Sequence, residues 1–116
     1  MSTNLYDHAY ELEKAMRNSE EFKHLLAMYE DVANDNEAST MFDQFRNVQL
    51  KLQQKQMEGR DITEDEVMEA QVIANQVQEN EKVSRLMEAE QRMSMTITEL
   101  NKIIMAPLNE LYGSMA

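Results

Sequence analysis

The sequence predicts an all-α fold, an elongated bundle of about five helices built on a long C-terminal spine helix. Three observations lead there. Only two glycines and one proline occur in 116 residues, and the abundant Glu, Gln, Met, Leu, Ala and Lys lose little rotamer freedom in a helix. Between Val83 and Leu111 apolar residues recur in heptads. Val83, Ile97, Ile104 and Leu111 form one row and Leu86, Met93 and Leu100 a second, interleaved by three and four as in a helix that buries one seam against its neighbours. Strand-forming patterns are nearly absent.

Taken in order, Leu5, Ala9, Leu12 and Met16 define the apolar face of a first helix. Asn18 or Ser19 interrupts it, and Asn18 with Glu21 has the form of a capping box opening a second helix. Its inward face is read as Phe22, Leu25, Leu26, Tyr29, Val32 and Ala33. The polar run Asn34-Asp35-Asn36 ends it, because short polar side chains compete for backbone groups. A third helix runs from about Glu37 to Glu58 and stops at Gly59, which takes a left-handed C-terminal position without a Cβ penalty. On it Met41, Phe45, Val48 and Leu52 cluster within about 60°, while Leu50 and Met57 lie roughly 150° away, with Phe42 bridging the two stripes. The second stripe predicts a neighbour from another subunit or from the long helix wrapping round, against the alternative of two stray exposed residues.

Thr63 reads as the N-cap of a fourth helix, with Glu66 completing a capping box and Glu64 and Asp65 favoured by the helix dipole. Val67, Ala70, Ala74 and Val77 form its expected inward stripe. A break near Asn80 leads into the spine. Beside the spine's seam the flanks are uncharged: Met87, Ser94, Asn101 and Leu108 on one side, Ala89, Thr96 and Ile103 on the other. A two-stranded zipper would carry charges there, so a wide apolar arc in a multi-helix bundle is expected instead. Pro107 lacks an amide and clashes with the carbonyl of Ile103, which predicts a kink or stop at Met105 or Ala106 and a last short turn from Pro107 to Tyr112, closed by Gly113.

Residues 1–116 are expected to form a single helical domain. From Val83 to Ala106 the spine would run about 36 Å, against about 35 Å for the diameter of a compact globule of this length. That mismatch predicts a homodimer or larger homo-oligomer that buries the excess apolar surface.

Charge and composition exclude several functions. With 22 acidic against 11 basic residues the net charge is -11, which repels phosphate backbones and anionic lipid, so neither DNA nor a membrane is an expected partner. No cysteine is present, removing disulfides, thiolate catalysis and Cys-ligated metal. The start of the chain lacks the pattern of a signal peptide and no run approaches the ~20 apolar residues of a span, so a cytoplasmic protein is the expectation. Charge is also uneven along the chain. Residues 44–57 contain Arg46, Lys51 and Lys55 and no acid, whereas residues 58–81 hold eight acidic residues and one basic residue. The polarity is either a solvated surface or a means of pairing with partners.

Glu21 and His24 have the E-x-x-H spacing of di-iron bundles, but such sites need the motif twice, and the other histidine, His8, has Leu5 in the required place. No catalytic residue, metal ligand or cofactor site is assigned. Glu90 occupies a seam position where charge is costly unless paired. It is read as a polar key for register or a partner's cation, or else as a locally exposed position. Of eleven methionines, most suit a core, while Met95 and Met105 fall on outward rows of the spine and suit a contact surface. The candidate oligomer or partner surface is therefore Phe42, Leu50, Met57, Glu90, Met95 and Met105.

A family pattern runs through these elements. Leu12, Ala15, Met16, Ser19, Glu21, Phe22 and Leu25, then Asp35, Glu37, Ala38, Phe42, Phe45 and Gln49, then Gln56 and Gly59 resemble the YlbF/YmcA family of small helical bacterial proteins, most closely its YheA-like branch. The resemblance extends through the Asn80 break and Ala89-Glu90 into the spine. It implies an all-helical, oligomer-forming cytoplasmic protein of Gram-positive type bacteria. Its better-known relatives are regulators linked to competence, sporulation and biofilm formation, acting in complexes that influence messenger RNA processing by an endoribonuclease. Some relatives carry cysteines associated with an iron-sulphur cofactor, a property that does not carry over to a chain without cysteine. The expected function is a non-enzymatic regulatory adaptor that self-assembles and binds another protein. The alternative is an RNA-processing-associated regulator that contacts RNA or an endoribonuclease complex, using Arg46, Lys51 and Lys55 where it meets RNA directly; a metal-dependent enzyme centred on His24 is the remote one.

Overall fold

The computed structural model describes residues 4–113, which form five α-helices and no strand among the described residues: α1 (Leu5–Arg17), α2 (Glu20–Ala33), α3 (Asn36–Met57), α4 (Glu64–Glu79) and α5 (Glu81–Gly113). Each boundary has a local chemical cause. Asn4 opens α1 by accepting from the Tyr6 amide at 2.9 Å. Between α1 and α2 the capping residue is Ser19, not Asn18. The Ser19 hydroxyl donates to the Met16 carbonyl at 2.6 Å and accepts from the Phe22 amide at 3.2 Å, while Asn18 closes α1. A single hydroxyl can both donate and accept, so Ser19 serves both helix ends.

Asp35 caps α3 by accepting from the Ala38 amide at 3.0 Å, so the polar run that ends α2 also starts α3. At the other end Gly59 has φ +70°, and the Arg60 amide bonds back to the Lys55 carbonyl and the Gly59 amide to that of Gln56. This paired closure needs the left-handed residue between them. Thr63 and Glu66 make the expected capping box on α4. Asn80 alone separates α4 from α5. Its amide bonds to the Val77 carbonyl to close one helix, and its side chain accepts from the Val83 amide at 3.1 Å to open the next.

Pro107 does not stop the spine, because α5 runs through it to Gly113. A proline removes one hydrogen bond, but Ile103 and Pro107 are both exposed, so water can take up the freed carbonyl of Ile103.

Two compact units are distinguished, one made of residues up to Leu25 with those from Glu88 onward, the other of residues 26–87. In the second unit α3 and α4 pack together as a hairpin. Its buried apolar residues are Val32, Ala38, Phe42, Val77, Val83 and Leu86. Ala38 and Phe42, one turn apart, form the most buried row of α3, with Met41, Phe45, Val48 and Leu52 half-buried beside them. On α2, Val32 is buried, whereas Leu26, Tyr29 and Ala33 of the expected inward face are exposed. On α4 the inward stripe is Glu66, Ala70, Ile73 and Val77, and Val67 lies outside it, half exposed at 52%. In the first unit Ala89 and Met93 are buried, Leu12, Met16 and Phe22 half-buried, and Leu5 and Ala9 exposed.

Candidate interaction surface

The apolar seam of α5 changes character along its length. Val83, Leu86, Ala89 and Met93 are buried, whereas Ile97, Ile104, Leu108 and Leu111, which continue the same stripe, are 41 to 61% exposed. Ile103, Met105 and Tyr112 add further exposed apolar surface on either side. A helix that is apolar over so wide an arc is one that other protein covers. The face of α1 in the same unit is similar, with Leu5, Tyr6 and Tyr10 largely exposed. Beside it Ala9, Leu12, Met16 and Phe22, with Glu13 and Arg17 at the rim, line an open apolar depression of about 460 Å³.

The residues named from sequence are distributed unevenly. Leu50, Met57, Met95 and Met105 are exposed and available for contact. Phe42 is not: it is 6% exposed and belongs to the core of the second unit, because the stripe it shares with Ala38 is the inward one. Glu90 is exposed, so no buried charge has to be accommodated within this chain. Glu21 and His24 are likewise exposed, and no group of three potential metal ligands occurs among the described residues.

The basic segment of α3 is largely engaged within its own unit. Arg46 stacks its guanidinium over the Phe42 ring, 5.6 Å from the centroid. Lys55 reaches across the hairpin to Glu66, Nζ to Oε1 at 2.5 Å, and is half-buried, whereas Arg46 and Lys51 are both exposed. The Lys55–Glu66 pair is the feature that sequence reasoning missed. Glu66 was legible as a capping residue, but not as a buried one whose Oε1 also accepts from the Thr63 amide and hydroxyl. The Lys55 ammonium, followed by the Thr63 amide, lowers its carboxyl to about 2. Its second oxygen, Oε2, is buried with no hydrogen-bond partner among the described residues. The only available signal was weak: a lone lysine near the end of one helix and a capping glutamate on the next. Asp35 is held below the usual carboxylate range by the Ala38 amide and then by Lys82 at 3.0 Å.

Fold and surface together define an all-helical protein that presents exposed apolar helix faces. The chain belongs to the family described as Control of competence regulator ComK, YlbF/YmcA, which matches residues 5–109. It is similar to the UPF0342 protein YheA of Bacillus subtilis, with 60% identity over 98% of this chain and 97% of that protein. Among solved structures it is similar to a protein of unknown function (DUF964) from Bacillus stearothermophilus, at 46% identity and TM-score 0.87 over 97% of this chain and 98% of that one. It also shares the fold of Bacillus subtilis RicA, solved in complex with RicF, at TM-score 0.67 and 19% identity over 97% and 99% of the two chains. No described helix is long and apolar enough to cross a membrane.

Proposed function

We propose that this protein is a non-enzymatic cytoplasmic adaptor in regulation, which assembles with copies of itself and binds a second protein. The observation that carries the reading is the exposed continuation of the α5 seam through Ile97, Ile104, Leu108 and Leu111. Four residues of a buried stripe left half in water call for a protein surface to cover them. A relative of the same fold, RicA, was solved in complex with another protein, RicF, which supports a partner-binding role. The exposed apolar residues elsewhere, Leu50 and Met57 on α3 and Met95 and Met105 on α5, are assigned to partner contact. Glu90 at the seam's margin is assigned there too, as a charge to be met by a partner's cation.

Direct RNA association is the weaker reading, because Arg46 is stacked on Phe42 and Lys55 is paired with Glu66 in a chain of net charge -11. Affinity capture of the tagged protein from native cells tests the adaptor reading. Recovery of a stoichiometric second protein supports it, and recovery of the bait alone removes it. RNA in the same eluate, released by salt, would favour the RNA reading instead.

A further inference from the structure

Along the distal half of α5 the seam residues are Ile97, Leu100, Ile104, Leu108 and Leu111. Their spacing is symmetric about Ile104: Leu100 and Leu108 are equally distant from it, and so are Ile97 and Leu111. At 100° per residue, paired members fall on opposite sides of the line through Ile104 by equal angles, about 20° for Ile97 and Leu111 and about 40° for Leu100 and Leu108. A stripe of this kind is complementary to itself when a second copy runs antiparallel across a two-fold axis at Ile104. Ile97 then meets Leu111, Leu100 meets Leu108, and the members of each pair interdigitate instead of colliding.

Charge points the same way. Between Met93 and Tyr112 the half of the helix centred on Ile104 carries no charged residue; Glu99, Lys102 and Glu110 all lie about 120° or more away from it. A copy of a chain with net charge -11 is repelled by any acidic group it faces, so a charge-free face suits a second copy. The area is sufficient as well. The exposed fractions of Ile97, Ile104, Leu108, Leu111 and Tyr112, which lie on that half of the helix, correspond to about 340 Å² of apolar surface, taking ~100 Å² for a fully exposed aliphatic side chain and ~200 Å² for tyrosine. At about 60% apolar content this implies about 570 Å² per copy, or about 1,100 Å² in total, above the ~1,000 Å² that a specific interface should clear.

We infer that residues 97–111 of α5 form the self-association interface, paired antiparallel with the same segment of a second copy across a two-fold axis at Ile104. The inference rests on the self-assembly part of the proposed function and adds the place and direction of the contact.

The chain's lack of cysteine makes single-cysteine spin labels clean probes. In the antiparallel pair a label at I104C gives a backbone separation of about 10 Å, labels at I97C or L111C each give about 20–25 Å, and a mixture of the two gives about 10 Å again. Equal short separations at all three sites would overturn the antiparallel arrangement. Because Ile104 faces its own copy, I104E is expected to weaken association by about 100-fold or more. Mixing I104E with I104K should restore association, and M95E, on the opposite side of the helix, should leave it unchanged. Circular dichroism equal to wild type in I104E, expected for a residue already 61% exposed, shows that the loss is not unfolding. A wild-type monomer by light scattering at micromolar concentration would remove the self-assembly reading itself. A wild-type oligomer that I104E leaves intact would remove only the interface assigned here.

Discussion

The two halves of α5 carry the same kind of apolar stripe and meet different fates. Leu86 is fully buried and Ile104 is 61% exposed, although both sit on one heptad pattern. Periodicity states that a face will be covered; it does not state whether the cover comes from the same chain. In the first half the cover comes from this chain's own residues. In the second it comes, on the present proposal, from another molecule, and stability in that half should therefore depend on protein concentration.

The comparison can be broken most forcefully in the buried half. Leu86→Ala removes a side chain with no exposed surface and should destabilise the fold by about 2–5 kcal/mol, measured by chemical denaturation and independent of protein concentration. Ile104→Ala should instead shift a melting temperature that rises with concentration in the wild type and does so less steeply in the variant. If both variants behaved alike, the distinction between the halves would be lost.

The next largest effect is expected at the α3–α4 hairpin. Lys55→Met leaves the Glu66 carboxylate buried without its cation, so the melting temperature at pH 7 should fall by more than it does for an exposed lysine such as Lys51→Met. The pH dependence has a definite sign. The carboxyl of Glu66 is lowered from 4.5 to about 2 in the folded chain, so its stabilising contribution is complete above about pH 4.5 and disappears as pH falls through about 2. Glu66→Gln should flatten the acid side of a stability–pH curve across that window. An unchanged curve would mean that the pair does not hold the hairpin.

Smaller effects sharpen the contrast between internal and surface contacts. Thr63→Ala deletes the N-cap of α4 and should cost about 1 kcal/mol. Arg85→Ala, which removes an exposed pair with Glu81 one turn away on α5, should cost only about 0.3–0.5 kcal/mol. Both are read by urea titration, and a larger loss at Arg85 than at Thr63 would contradict the ranking.

Much of the fold was legible from sequence because its signals are local. Five helices, the Thr63–Glu66 capping box, Gly59 as a terminator and the break at Asn80 all follow from side-chain chemistry within a few residues. Choices between neighbouring candidates were less secure, as at Asn18 and Ser19, where both side chains are able to cap and Ser19 makes the bonds to both helix ends. Inward faces were misjudged where an apolar residue lies near the edge of a stripe, as with Tyr29 and Val67, because the width of the covered arc depends on tertiary neighbours. Of the two outcomes expected at Pro107, a stop does not occur, since its cost depends on whether water reaches the freed carbonyl. For the candidate surface, Leu50, Met57, Met95 and Met105 were recognisable as outward residues from phase alone. Phe42 was not, because a bridging position between two stripes turns inward or outward according to which stripe faces the hairpin.

The joints between helices also govern where the chain can be lengthened. Asn80 ends α4 and begins α5 with its own backbone and side chain, so one inserted residue there would separate the two functions. The connection between Gly59 and Asp61 is different: it is exposed, follows a completed helix end and precedes the Thr63 cap. A short epitope or reporter tether placed between Arg60 and Asp61 should leave both neighbouring helices intact, providing an internal labelling site.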